Sequence, residues 1–398
     1  MMALQNSLWS KKLAQAGLAG MLLVGLPLCV VLPRILALVL PLAALFAVPL
    51  FFSVTRAWRA LLNRSFWLAL VGFTLFGLLG TLRAPDIAST ANSFPGLVLN
   101  MFSLCILLVT APLAATTQQL MRWGTIALAL TIVLLGVEYY QNGMPLNTLL
   151  ASLQGKAVKP LYMLDRTIVI SALLLWPVAA YAALRGTKPV YLMGLLVVGC
   201  YLSFQTSSQA AALGLVFGIV LYALALLLPR LMLQALWVIL PLGLLLAPLV
   251  VQGLDHATAD YPNFWPAANT AERLDIWTGV AHQINAAPVL GQGFEAIRRI
   301  DTVVLGRAYT HPHNGMLQIW LETGLVGAVL AAAALFLLLR FILRKGRPEL
   351  FSWYAGALGT WATIFCVGYN MWQTWWQAAA MLAFFLFVQM NRAPTAAH

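Results

Sequence analysis

Apolar runs of about 20 residues, the length that crosses the hydrocarbon of a bilayer, follow one another along almost the whole chain. They fall at 13–32, 35–54, 66–82, 95–115, 123–140, 166–184, 189–205, 209–228, 232–251, 316–339, 350–369 and 372–390. Most of the polar breaks between them are short. Two are long, Gln141 to Asp165 and Val251 to about Asn314. The pattern predicts an all-α polytopic membrane protein with about 12 transmembrane helices. It forms one integral membrane domain over 1–398, with a large, partly helical loop at 252–315 between the ninth and tenth helices. The first run follows Lys11 and Lys12 without a small-residue cleavage site and reads as an uncleaved first helix. The sequence holds no internal repeat, low-complexity tract or interdomain linker.

The long loop carries a pattern of its own. After the proline-punctuated Tyr261–Pro266, Asn269 with Glu272 three residues later resembles an N-capping arrangement. Leu274, Trp277, Val280, Ala281 and Ile284 then recur at helical spacing until Pro288, which predicts an amphipathic helix of about four turns lying on the membrane or over a cavity. Gly291-Gln292-Gly293 follows no strand and lacks a third glycine, so it reads as a turn and not a nucleotide loop. A short basic helix with Arg298 and Arg299 comes next. Elsewhere, Gly214-x-x-x-Gly218 reads as a close helix contact, and Trp353, Trp361, Trp372, Trp375 and Trp376 read as interfacial anchors. Trp375 and Trp376 could instead line a lipid-access opening.

Composition agrees with the pattern. The 398 residues are 62% hydrophobic and 9% charged, with a mean hydropathy of +0.88, which excludes a soluble globular protein. A formal charge of +12 raises the question of nucleic acid. With the N-terminus in the cytoplasm, most of the 23 basic residues fall inside: Lys11, Lys12, Arg56, Arg59, Arg64, Arg122, Arg185, Lys188, Arg230, Arg340, Arg344, Lys345, Arg347 and Arg392. Only Glu349 opposes them there, and the cations outside are balanced by acids. This asymmetry explains the net charge without nucleic acid and puts both long loops outside. Cys29, Cys105, Cys200 and Cys366 stand singly in separate apolar runs and read as packing residues.

Chemistry-bearing residues crowd the stretch Tyr309–Gly327. Asn314 is a good N-cap for a helix beginning at about Gly315, which sets His313 beside the positive helix end, a place that attracts phosphate. A neutral imidazole there can take a proton from a sugar hydroxyl. His311 supports it, and His311-Pro312-His313 lacks the third ligand that zinc requires. Glu322 is an ionisable group inside an apolar run, so it serves function or locks the helix to its neighbours. Arg166, directly after Asp165, and Lys159 face the same side as His313, as does Arg273 on the loop helix beside Trp277. Guanidinium groups fork onto phosphate oxygens and suit a diphosphate. No Asp-x-Asp occurs to hold a divalent metal, so arginine and the helix terminus take over charge neutralisation, and no cofactor is expected.

Glu272-Arg-Leu-Asp-Ile-Trp277, then Pro288-Val-Leu-Gly-Gln-Gly-Phe294, then His313-Asn-Gly-Met-Leu-Gln-Ile-Trp-Leu-Glu-Thr-Gly324, set in a late outer loop of a many-span protein, resemble the O-antigen ligase and polymerase superfamily. One departure is Ser208-Gln209, where many members read Ser-Arg. The resemblance implies a metal-independent, inverting membrane glycosyltransferase of the GT-C type at the periplasmic face of the bacterial inner membrane. It implies an undecaprenyl-pyrophosphate-linked glycan as donor. His313 would be the base, and Arg166 and Arg273 would hold the pyrophosphate. The function expected is O-antigen ligase, with lipid A core as acceptor. O-antigen polymerase and protein O-oligosaccharyltransferase share the chemistry, and a lipid-linked sugar flippase is the alternative of a different class.

Overall fold

The computed structural model describes residues 2–53, 87–140, 145–158, 161–206, 208–258, 268–299 and 311–392, with the isolated positions 72, 75, 76, 80 and 82. Most of the run at 66–82, Lys159 and the Tyr261–Pro266 segment lie outside the described residues. Within them, every regular element is a helix. α1 (Met2–Gly20) continues through a π-helical turn at Met21–Gly25 to Leu28, and α2 spans Leu36–Ser53. α3 (Ile87–Ala114), α4 (Thr117–Tyr140) and the short α5 (Pro145–Gln154) follow. Next come α6 (Asp165–Leu184), α7 (Pro189–Gln205), α8 (Gln209–Leu227) and α9 (Pro229–Thr258). The long loop contributes α10 (Ala268–Ile284), and the chain closes with α11 (Gly315–Lys345), α12 (Phe351–Val367) and α13 (Thr374–Arg392).

Among the described residues, 8 helices are long and apolar enough to cross a membrane. They match eight of the twelve expected runs. Of the other four, 66–82 lies mostly outside the described residues, and 13–32 becomes the end of α1 with its π turn. The run at 189–205 becomes the 17-residue α7, and 372–390 becomes the 19-residue α13. Large apolar side chains stand exposed along the spans, Leu38, Phe52, Val133, Phe217 and Leu227 among them. Such a surface is stable only against hydrocarbon.

α6 runs through the centre of the bundle, its side chains buried from Thr167 to Ala180 except at half-buried Ser171. Trp176 at its middle is fully buried and donates its indole N–H to Thr360 Oγ1 of α12 at 2.8 Å. The closest helix contact joins α8 to α12 through small residues. A Cβ added at Gly218 would lie 2.6 Å from the Trp176 ring and 2.7 Å from the Gly356 carbonyl oxygen, and one at Gly214 would lie 3.0 Å from the Thr360 carbonyl oxygen. The glycine pair read from the sequence is therefore a helix crossing, and it holds the start of α8 beside the end of α12.

One sequence expectation is corrected here. Trp353, Trp372, Trp375 and Trp376 are all buried between helices and are neither interfacial anchors nor the lining of an opening. Their indole area is used up in helix packing; Trp375 N–H reaches Gln373 Oε1 at 2.9 Å, and Trp372 N–H reaches Glu322. The loop helix α10 forms where its spacing predicts, and its Ile276, Val280, Ala281 and Ile284 pack against Leu317 and Leu321 of α11 and Val251 of α9.

The first long loop holds a helix that the sequence reading missed, α5. Buried Glu138 near the end of α4 accepts bonds from Leu146 N at 2.5 Å, Asn147 N at 3.2 Å and Asn147 Nδ2 at 2.7 Å. A carboxylate at a helix N-terminus satisfies orphan amides and complements the helix dipole, so Glu138 ties α5 to α4.

Candidate active site

The site is built on a broken helix. α11 begins where expected: Asn314 adopts an extended backbone, and its Oδ1 accepts from Met316 N at 3.0 Å and Leu317 N at 3.1 Å. It does not run on unbroken, because Gly324 has φ 63° and ψ −162°, a conformation that only glycine adopts readily. The preceding loop fills the break. Gln292 N donates to Leu321 O at 2.8 Å, Gly293 N to Glu322 O at 3.0 Å, Leu325 N to Pro288 O at 2.8 Å and Val326 N to Val289 O at 3.1 Å. The Pro288–Phe294 turn thus recovers carbonyls and amides that the helix break releases. The approach is so close that a Cβ on Gly291 would lie 2.4 Å from Thr323 N.

His313 precedes this helix with a positive φ of 54°. Its Nδ1 lies 2.9 Å from the carbonyl oxygen of Gly368, in the loop between α12 and α13. A carbonyl only accepts, so Nδ1 carries the proton and Nε2 keeps its lone pair. The His311 ring packs edge-on at 4.0 Å between centroids, and its Nδ1 accepts from His313 N at 3.3 Å. Trp277 of α10 clamps the turn by donating its indole N–H to Pro312 O at 3.0 Å.

Both imidazoles are neutral at physiological pH. Burial pushes His313 below its ordinary value, opposed by the bond to Gly368, with Arg273 lowering it further and Glu272 opposing. Burial, then His313 and Arg273, push His311 down to about 3.

The α12–α13 loop is pinned from α11. Gln318 Nε2 donates to Asn370 Oδ1 at 2.9 Å and Gln318 Oε1 accepts from Met371 N at 3.1 Å. Fully buried Glu322 accepts from Gln318 Nε2 at 3.0 Å and from the indole N–H of Trp372. Of its two sequence readings, the lock between helices is the one these contacts describe.

Tyr369, next to Gly368, was not singled out from the sequence, yet it gathers the site. Its phenol lies within electrostatic reach of Asp165, Arg166 and Arg273 and beside the Ser208 hydroxyl. Burial pushes it up to about 12; Asp165 adds to this, while Ser208, Arg166 and Arg273 oppose it. Burial also draws Arg273 down, countered by Glu272 and Tyr369. Arg34 stands within electrostatic reach of Arg166 and was likewise missed. Only a position far along the chain in each case brings these groups together, which no local pattern announces.

Arg166, Arg273, His311, His313, Asn314, Trp277 and Glu322 therefore belong to one connected region. Lys159 falls outside the described residues. The expected basic helix is a short 3-10 turn at Ala296–Arg299, and its Arg298 is paired with Glu295 at 2.7 Å. Among the described residues no three His, Cys, Asp or Glu side chains gather as a metal site.

Beside this region opens an apolar cavity of about 370 Å³ between α4, α6, α7 and α8. Leu164 and Ile168, which flank Arg166, line it, as do Gln205 and Thr206, just before Ser208.

Residues 192–332 match the family model described as O-antigen ligase. A protein of Rickettsia typhi bearing the name "Putative polysaccharide ligase" is 29% identical over 229 residues, covering 54% of this chain and 56% of that protein. A protein of the same name in Rickettsia felis is 28% identical over 258 residues, 62% of this chain and 61% of that protein. The chain thus spans less than two thirds of the length of these relatives. No solved structure matches it. The likeness to the O-antigen ligase family thus rests on residues 192–332, and both relatives bear the polysaccharide ligase name.

Proposed function

We propose that the protein is an O-antigen ligase that transfers polysaccharide from undecaprenyl pyrophosphate to lipid A core oligosaccharide at the periplasmic face of the bacterial inner membrane. The observation that carries the reading is the tautomer of His313: Nδ1 is committed to Gly368 O, so Nε2 is a free base beside Arg273. The acceptor hydroxyl oxygen forms a bond to the anomeric carbon of the donor as Nε2 takes its proton. The bond from that carbon to the phosphate oxygen breaks, and undecaprenyl diphosphate leaves with the electron pair. Attack opposite the leaving group inverts the anomeric centre.

Arg166, Arg273 and Lys159 neutralise the departing diphosphate in place of a divalent metal. The apolar cavity next to Arg166 supports a lipid-borne donor, since its walls suit an isoprenoid chain whose phosphates stop at the arginines. His311, Asn314 and Trp277 hold the His313 turn, and Glu322 holds the loop that carries Gly368.

The test uses purified protein, lipid-linked glycan and rough lipopolysaccharide, with a metal chelator present. A larger lipopolysaccharide product is expected. Elongation of the lipid-linked glycan instead identifies a polymerase, and transfer to protein identifies an oligosaccharyltransferase. No new glycosidic bond with any acceptor refutes the transferase reading.

A further inference from the structure

α11 is too long for one crossing of a bilayer. Its 31 residues would rise about 46 Å as a straight helix, against about 30 Å of hydrocarbon. The break at Gly324 divides it. From Leu325 to Lys345 the helix rises about 31 Å, one hydrocarbon thickness, and it ends on Arg344 and Lys345, which suit the headgroups on the side away from His313. Gly324 therefore lies at the edge of the hydrocarbon on the His313 side. The span below it is exposed along Val326, Val329, Ala333, Leu337 and Phe341, a stripe at helical spacing that faces lipid.

The Pro288–Phe294 turn docks at this depth and continues the stripe. Leu325 N and Val326 N donate to Pro288 O and Val289 O, so the turn lies against the first residues of the span. Val289 is 55% exposed and Leu290 49%, next to Leu325 at 45%. No Asp, Glu, Lys or Arg occurs between Asp275 and Glu295, so nothing charged accompanies the turn into an apolar layer. Irregular backbone is tolerated at such a depth only where its polar groups are bonded within the protein. This turn is bonded in that way: besides the two bonds to α11 amides, Gly291 N donates to Ala287 O at 2.9 Å, Gln292 N to Leu321 O at 2.8 Å and Gly293 N to Glu322 O at 3.0 Å. Seating the two aliphatic side chains among acyl chains removes their surface from water, which is favourable.

We propose that Pro288–Leu290 is a membrane-inserted wedge, seated among the acyl chains of the leaflet on the His313 side. The wedge joins the end of α10 to the part of α11 above the break, so it fixes the height over the membrane of both Arg273 and His313. Its seat depends on aliphatic contacts alone, whatever the protein transfers.

The test is spin-label accessibility in liposomes of phosphatidylethanolamine and phosphatidylglycerol, on full-length protein whose 4 native cysteines are replaced by alanine. Nitroxides are attached at Leu290→Cys, at Leu337→Cys within the span and at Asn285→Cys, exposed just before the turn. Molecular oxygen collects in hydrocarbon, whereas a polar nickel chelate stays in water. The ratio of oxygen to chelate collisions at Leu290→Cys is expected to approach that at Leu337→Cys and to exceed that at Asn285→Cys several-fold. A ratio equal to that at Asn285→Cys puts the turn in water and overturns the wedge. Few collisions with either reagent mean that protein, a second copy of this chain included, covers the turn, which also overturns it. If the cysteine-free chain melts early in detergent, benzoylphenylalanine in place of Leu290 in the native chain gives the second reading. Photochemical adducts on phospholipid acyl chains support the wedge, and adducts on protein alone, or none, overturn it. No readout involves glycan transfer, so loss of the wedge leaves the ligase reading standing, and loss of the ligase reading leaves the wedge.

Discussion

His313 Nδ1 and the carbonyl oxygen of Gly368 lie 2.9 Å apart although 55 residues separate them in the chain. That contact decides which ring nitrogen is basic, and it joins the start of α11 to the loop after α12. His313→Ala is expected to lower the rate of transfer by about 10²- to 10⁴-fold, the usual range for a general base. The variant should remain folded, because Asn314 and not His313 caps the helix. Single-turnover assay of the purified variant checks this, and near wild-type transfer would refute the role of base.

The pH dependence has a definite sign. Burial disfavours the charged imidazole, so His313 stays basic below its ordinary value of 6.5. The acid limb of the kcat/KM profile, which reports the free enzyme, should therefore have its midpoint below pH 6.5, with little change from pH 7 to 8. For His311, held at about 3 against 6.5, the unfolded chain binds more protons between those two values. Stability then rises with pH across that window and is lost as pH falls through it. The melting temperature in detergent should fall from pH 6.5 towards 4, and His311→Asn should flatten part of that slope.

Arg273→Lys keeps the charge but loses the planar fork that grips two phosphate oxygens. A rise in donor KM and a loss of kcat of about tenfold or more are expected. Steady-state kinetics with varied lipid-linked donor measure both, and unchanged constants would remove Arg273 from the diphosphate site.

Glu322 uses its two oxygens to accept from two donors, Gln318 Nε2 and the Trp372 indole. Glutamine in its place presents an NH2 to one of them. Glu322→Gln should cost about 1–3 kcal/mol of stability, read as an earlier unfolding transition. Transfer per folded molecule should fall less than in His313→Ala. A variant of full stability without transfer would instead make Glu322 part of the chemistry.

Gly324→Ala places a Cβ 2.5 Å from Gly291 N and from Val289 O, at a φ of 63°. Backbone strain alone is of order 1–3 kcal/mol there. The expected outcome is poor yield of folded protein, measured by size-exclusion of the detergent extract.

Eight of the expected spans and the helix start at Asn314 were legible in sequence because each depends on a local property: the length of an apolar run, or a side chain that bonds an amide two or three residues away. The amphipathic helix Ala268–Ile284 was legible for the same reason, through its spacing. The break at Gly324 was not, since a lone glycine in an apolar helix is compatible with continuity and only the docked Pro288–Phe294 turn makes the break stable. α5 escaped notice because its anchor, Glu138, lies on the preceding span.

The sequence by itself determined that this chain lives in a bilayer and that His313 sits at a helix start, because hydrophobic length and capping are properties of neighbouring residues. Tertiary structure alone decided which nitrogen of that histidine is basic, that Trp372 and Glu322 are partners, and that Tyr369 stands among Arg166, Arg273 and Ser208. Those facts arise from the close crossing of α8 on α12 and the pinning of one loop by α11, contacts between residues far apart in sequence whose hydrogen bonds and charges meet only after the helices have packed.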